Sequence, residues 1–256
     1  MPFLKEKAFV LGSSGETGKA LVRLLLKSGT FKELVLIGRR KTFASDFGET
    51  SDYDTILTEE VVDFNAISDY KSAFAGCAVG FCCLGARVTW RFALQSMMPS
   101  YLMAYFTKTG ETQFVVDYDY VVNAATVAKE AGCRSFSLVS SQMASENSWV
   151  YYTYVKGLVE NQLQQLSFDQ LKIYRPSTIV VERKNESFPQ YLGTKLMAPL
   201  FYFFPGSTSI PVDKMAKAMV WNAVFNEEDA KQVDIVENDQ LYPFATAFDN
   251  VVNATN

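Results

Sequence analysis

The stretch Lys7-Ala-Phe-Val-Leu11-Gly12-Ser13-Ser14-Gly15-Glu16-Thr17-Gly18, running into Lys19-Ala-Leu-Val-Arg-Leu-Leu-Leu-Lys-Ser28-Gly29, decides the fold. Its first five residues form a short apolar run, which reads as a strand. Residues 17–28 carry apolar side chains at 20, 21, 22, 24, 25 and 26, a helical face that Gly29 closes. Between strand and helix lie Gly12, Gly15 and Gly18 at GxxGxxG spacing. Glycines there permit a tight turn and let backbone approach a pyrophosphate. The helix N-terminus offers free N–H groups and a positive dipole end to the anion, and Ser14 and Thr17 can add hydroxyl donors.

Outward from this turn the alternation continues. Strands are expected over 33–37, 60–63, 79–84, 135–140, 172–174 and 233–236, and helices over 68–75, 115–131, 152–166 and 214–225. This predicts an α/β fold, a doubly wound and mostly parallel sheet with helices on both faces. The chain shows no internal repeat and no low-complexity linker, so a single domain spanning 1–256 is expected, with a small substrate or partner region from about 183.

The residues after strand two set coenzyme preference. NAD sites place Asp or Glu there to accept from the ribose 2′-OH. Here the strand ends Ile37-Gly-Arg39-Arg40-Lys41, three cations and no carboxylate. Arginine binds a phosphate bidentately, so NADP(H) is expected over NAD(H). Asp63, ending strand three, is placed either to meet an adenine amino group or to cap the next turn. Leu84-Gly85 closes strand four, where the chain can pass close to a coenzyme.

Tyr152-Thr-Tyr-Val-Lys156 sets a phenol and an ammonium one helical turn apart. A lysine cation stabilises a phenolate and is expected to pull the tyrosine toward neutral pH. Ser140 and Ser141 end strand five, at the carboxyl edge where ligands sit in open α/β sheets. A serine there can donate to a substrate oxygen. The YxxxK spacing recurs at Tyr191 and Lys195, so spacing alone selects nothing. Context selects Tyr152, which opens the helix after the serine-ended strand.

Composition narrows the rest. Over 256 residues, hydrophobics make up 48% and charged residues 20%, a globular profile rather than a disordered one. The net charge of −4 argues against a nucleic-acid-binding face. The chain has no histidine, which removes Ser–His–Asp and Cys–His catalysis and imidazole-bound metal, so no metal site is expected. Cys77, Cys82, Cys83 and Cys133 form no CxxC pair and read as reduced core thiols. No secretory signal is visible at the start, and the cytoplasm is the expected address.

Residues 86–110 break the alternation, since connections there usually take about 2–6 residues. Within 88–106 only Arg91 is charged, which approaches a membrane-spanning composition. Pro99, Gln95, Ser96 and Ser100 argue against a span. The segment reads as a hydrophobic lid or a helical hairpin broken at Pro99. A peripheral membrane or partner contact, or sequence foreign to the natural fold, are its alternatives.

Taken together, GxxGxxG, the serines ending strand five, YxxxK and Tyr174-Arg175-Pro176 resemble an extended or atypical short-chain dehydrogenase/reductase with a Rossmann-like fold. The nearer resemblance is to the Tat-interacting protein family of oxidoreductase-like tumour suppressors, NADPH-binding proteins. It is carried by Leu11–Gly18, Leu36–Lys41, Val61–Phe64, Gly80–Gly85 and Val155–Gly157. The resemblance implies that Ser14, Gly15, Glu16 and Thr17 line the phosphates and that Arg39 and Arg40 hold the 2′-phosphate. It implies that Leu84 and Gly85 flank the coenzyme and that Ile179 lies near the nicotinamide. Tyr152 becomes the proton acceptor with Lys156 its partner, and Asn123 is the candidate for the family's catalytic asparagine. It further implies an unidentified small-molecule substrate, protein partners such as nuclear import receptors, and a place in the nucleus or at its envelope besides the cytoplasm. The link at 86–110 is longer than the family's, and the segment after Arg183 departs from it.

Overall fold

The computed structural model describes residues 6–42, 46–47, 53–85, 114–181, 209–226 and 232–255. The strands are β1 Lys7–Leu11, β2 Glu33–Gly38, β3 Ile56–Val61, β4 Cys77–Cys82, β5 Ser135–Val139, β6 Gln170–Arg175, β7 Thr178–Val180, β8 Ser209–Pro211 and β9 Val233–Glu237. Seven of them form one sheet in the order β3-β2-β1-β4-β5-β6-β9. Every pairing in it is parallel. The winding reverses beside β1, with β2 and β3 on one side and β4 onward on the other. This puts a crevice at the carboxyl ends of β1 and β4, where open α/β sheets bind ligands. A parallel pair, β7 with β8, stands apart from this sheet.

The helices are α1 Glu16–Ser28, α2 Tyr120–Glu130, α3 Tyr151–Gln165, α4 Val212–Val220 and α5 Asn238–Thr255. Residues 64–74 form 3-10 turns kinked at Ala66 and Tyr70. Wide π turns at Val115–Asp119 and Trp221–Phe225 precede α2 and follow α4. Each face of the sheet carries its own core. Leu21, Leu25, Met215, Met219, Leu241 and Phe248 cover Val10 and Phe81 on one side. Phe74, Val121, Ala125, Val159 and Leu163 cover Phe9 and Phe136 on the other. β1 and β2 are buried along nearly their whole length, as parallel strands clad on both faces must be.

The sequence-based bounds shift in places. β3 occupies Ile56–Val61 rather than 60–63, because Gly38 pairs with Val61 and the register runs back to Glu33 opposite Ile56. The helix expected over 68–75 is instead a run of 3-10 turns that begins earlier, at Phe64, where Asp63 caps it. The helices expected over 115–131 and 214–225 each include a π turn. Two features have no sequence counterpart: the β7–β8 pair and α5, which tolerates Pro243 inside it. The C-terminal stretch is joined to the sheet through β9, α4 and α5. The apolar segment 86–110, its 88–106 stretch, and residues 182–208 lie outside the described residues. Among the described residues, no helix is long and apolar enough to cross a membrane.

Candidate functional site

The turn between β1 and α1 is shaped by glycine. Gly12 has φ of 79°, in the left-handed region, and a Cβ there would sit 2.6 Å from the Cys83 carbonyl oxygen on β4's exit. A Cβ at Gly18 would sit 2.2 Å from the Gly12 carbonyl oxygen. The turn closes with Gly15 N–H donating to the Gly12 carbonyl at 3.0 Å. Gly15 is the N-cap of α1, and no side chain caps the helix. The first-turn N–H groups therefore face outward, and Ser14, Gly15 and Glu16 are exposed, with Thr17 half-buried. Side chains at Gly12 and Gly18 would strike backbone and open the turn, whose uncapped N–H groups suit an anion. These residues suit the pyrophosphate of a dinucleotide.

Arg39, Arg40 and Lys41 follow β2, all exposed, and no described residue forms an ion pair with them. Asp63 is exposed, and its Oδ1 accepts from Asn65 N–H and Nδ2 at 2.9 Å each, which is the capping role. Leu84 is half-buried against the core and Gly85 is exposed. Ile179 is half-buried in β7, paired with Ile210 of β8 and packed against the core under α1 and α4.

α3 and the end of β5 bring the chemistry together. Lys156 is only 4% exposed, and its Nζ lies 5.7 Å from the Tyr152 ring centroid. The Ser141 hydroxyl donates to the Gln142 carbonyl at 3.0 Å and lies within reach of the Tyr152 phenol. Ser140 does something else: its hydroxyl donates to the buried Glu160 carboxylate, which Arg175 grips at 2.6 Å. The serines look equivalent in the sequence, but Ser140 is taken up by the core network while Ser141 lies beside the phenol. The loop between β5 and α3 is pinned by Ser145 N–H to the Thr153 carbonyl at 3.0 Å. Gly157 lets that loop lie directly on α3, since a Cβ would come 2.2 Å from the Ser145 backbone.

One member of the site escaped sequence reasoning. Asp117, in the π turn before α2, is 1% exposed and its Oδ1 accepts from Lys156 Nζ at 3.2 Å. A Cβ on Gly85 would lie 3.5 Å from the same oxygen, so the carboxylate sits at the crevice floor. Asn123 is exposed, farther along α2. The spacing of Tyr152 and Lys156 alone predicts a phenol pulled down by the lysine. Instead burial pushes the phenol up, Lys156 pulls it down, Asp117 pushes it up again and Ser141 pulls it down, with a net upward shift. Burial works against the Lys156 ammonium, yet Asp117 and Tyr152 together hold it firmly charged. The correction has two causes, in order of size: burial penalises the phenolate, and the carboxylate paired with Lys156 offsets part of the cation's field at the phenol.

The cysteines carry no disulfide. Burial raises the Cys77 and Cys82 thiols to about 11 and Cys133 to about 12, so they rest as thiols.

Comparison with known proteins agrees with this geometry. Residues 12–169 match the NAD(P)H-binding family. The chain is 36% identical over 235 residues to Protein HTATIP2 of Rattus norvegicus, covering 91% of this chain and 86% of that one. It is 28% identical to the mitochondrial Protein FMP52 of Eremothecium gossypii, over 91% of this chain and 95% of that one. Among solved structures, a short-chain type dehydrogenase/reductase from Mycobacterium ulcerans superposes with a TM-score of 0.65 at 16% identity, covering 92% of this chain and 90% of that one. MoeE5, solved with UDP-glucose and NAD, gives 0.61 at 14%, covering 95% and 82%. These two likenesses concern the fold.

Proposed function

Because the chain belongs to the NAD(P)H-binding family and is a relative of Protein HTATIP2, we propose that it is a short-chain dehydrogenase/reductase that transfers hydride between NADP(H) and a small carbonyl/alcohol pair, with Tyr152 moving the proton. One observation carries the reading: Lys156 and Ser141 converge on the Tyr152 phenol, which follows β5 at the same carboxyl edge of the sheet as the glycine turn after β1. The coenzyme, when bound, supplies or accepts the hydride.

The chain's own residues do the rest. Gly12, Gly15 and Gly18 admit the pyrophosphate, and Ser14, Glu16 and Thr17 line it at the opening of α1. Arg39 and Arg40 favour the 2′-phosphate, two guanidinium groups free of any ion pair with a described residue. Lys156 holds the nicotinamide ribose. Ser141 donates to the substrate oxygen and fixes it near the phenol, and Tyr152 exchanges a proton with that oxygen. Single-turnover NADPH oxidation across a panel of carbonyl compounds tests this, with Tyr152→Phe as the control. The reading expects at least one substrate whose turnover falls about 10²–10⁴-fold in the variant. Turnover equal in both proteins refutes it.

A second reading is favoured by one observation. Met143 and Trp149, on the pinned loop beside Tyr152, are 77% and 78% exposed. Exposed apolar side chains on a fixed loop suit a protein partner whose grip depends on bound NADPH. Partner binding indifferent to NADPH would remove that reading.

A further inference from the structure

Resting on the oxidoreductase reading above, we propose that Asp117 is a positioning residue: by holding Lys156 in a buried ion pair it keeps Tyr152 protonated, the form that donates in carbonyl reduction, and so sets the pH at which the reverse alcohol oxidation begins.

The geometry of three elements carries this. The π turn at Val115–Asp119 widens the chain just before α2 and delivers the Asp117 carboxylate inward. Lys156 comes from the second turn of α3, and the two side chains are 2% and 5% exposed where they meet at 3.2 Å. The exit of β4 closes the group, with Gly85 leaving room beside the carboxylate oxygen. Three chain segments 30 or more residues apart thus converge on one charge pair.

The consequence falls on Tyr152. In a water-poor site a lone ammonium would favour the phenolate strongly. Paired with a carboxylate, the same ammonium presents a dipole and leaves the phenol protonated. Among the described residues, the groups facing this centre are Lys156, Tyr151 and Tyr154 from α3, Asp117 from the π turn, Cys82 from β4 and Ser141 from the end of β5. Of these, Lys156 and Asp117 form the ion pair, and their effects on the phenol oppose one another.

The pairing decides which form of Tyr152 meets the substrate at a given pH. In reduction, Tyr152 gives its proton to the carbonyl oxygen as the C=O π bond breaks and that pair forms the new O–H bond. The carbon gains a C–H bond from the hydride that reduced NADPH supplies. The carbonyl is reduced, the coenzyme is oxidised, and the phenolate recovers a proton from water. In oxidation the phenolate must already exist to take the alcohol proton, and the Asp117–Lys156 pair disfavours that state.

The test uses the full chain without coenzyme. Tyrosine labelled with ¹³C at Cζ is titrated by NMR, with the Tyr152 signal assigned through Tyr152→Phe. In Asp117→Asn and Asp117→Ser the ionisation midpoint of Tyr152 is expected to fall by about one pH unit or more, a tenfold change in acid strength. Asp117→Glu is expected to stay near wild type. With a substrate in hand, the pH midpoint of alcohol oxidation falls in Asp117→Asn by a matching amount. A folded Asp117→Asn or Asp117→Ser with an unchanged or higher midpoint overturns the proposal, and so does failure of both to fold, which makes the residue a support of the fold alone. Because the titration needs neither coenzyme nor substrate, its failure is distinct from that of the oxidoreductase reading, which fails on NADPH turnover.

Discussion

The Ser140 hydroxyl donates to the Glu160 carboxylate, and this contact separates two adjacent serines into different jobs. Glu160 is 2% exposed and also takes a bidentate grip from Arg175, whose other nitrogen reaches Glu237 at 2.9 Å. Ser141, one residue on, lies beside the Tyr152 phenol. Ser140→Ala is therefore expected to lower unfolding free energy by about 1.5–3 kcal/mol, the range for a hydrogen bond to a charged group, with little change in turnover. Ser141→Ala is expected to lower kcat about 10-fold or more and leave the urea midpoint nearly unchanged. Urea unfolding and NADPH oxidation, run on both variants, check the assignment; a reversed pattern would exchange the roles.

Gly18 and Gly29 bracket α1 and are glycine for different reasons. At Gly18 a Cβ would strike the Gly12 backbone, which has no flexible end to give way. At Gly29 the space is open and only the φ of 58° disfavours a side chain. Gly18→Ala should cost about 1–3 kcal/mol or more and abolish coenzyme binding, because the turn must open. Gly29→Ala should cost about 1 kcal/mol and leave binding intact. Thermal unfolding with coenzyme titration separates the two.

Arg39→Asp replaces a phosphate-binding cation with a carboxylate suited to a ribose hydroxyl. NADPH affinity should fall about 10- to 100-fold, equivalent to about 1.4–2.8 kcal/mol, while NADH affinity holds or rises. Fluorescence titration with both coenzymes reads this directly. A variant that keeps the wild-type ratio would place the 2′-phosphate elsewhere.

Stability should fall on the alkaline side. A buried thiol or phenol whose native value is raised stays protonated in the fold but ionises when unfolded, so its contribution is full below the unfolded value and is lost as pH climbs toward the native one. Cys77 and Cys82, moved from 9.0 to about 11, and Cys133, moved to about 12, set the window as pH 9 upward. Tyr152, also shifted upward, adds to it above its ordinary value of 10.0. Each group contributes a slope of up to about 1.4 kcal/mol per pH unit within its window. Urea midpoints from pH 7 to 11 should be flat and then decline beyond 9, with a shallower decline in Cys82→Ala. A midpoint rising with pH would contradict the burial of these groups.

The strand–turn–helix opening was legible because its signals are local: an apolar run, three glycines and a helical face within two dozen residues. The parallel sheet followed from the same alternation repeated. The features that sequence reading missed depend on contacts between distant residues. Asp117 is one acidic residue in Val-Val-Asp-Tyr-Asp, and only the fold brings it to Lys156, 39 positions away. Ser140 and Ser141 differ only in the direction each hydroxyl turns. β3 starts earlier than expected because an edge strand with Glu59 and Glu60 lacks an unbroken apolar run, and its register with β2 sets the start. α5 was hidden by Pro243, which removes one donor from an otherwise continuous helix.

The open cradle at the start of α1 underlies every step from coenzyme to proton, and calorimetric titration of the wild-type chain with NADPH tests it most directly. One-to-one saturable binding, weakened at least tenfold when NADH is used instead, is the predicted result. An absence of heat and of saturation with both coenzymes, in protein shown to be folded, would contradict it.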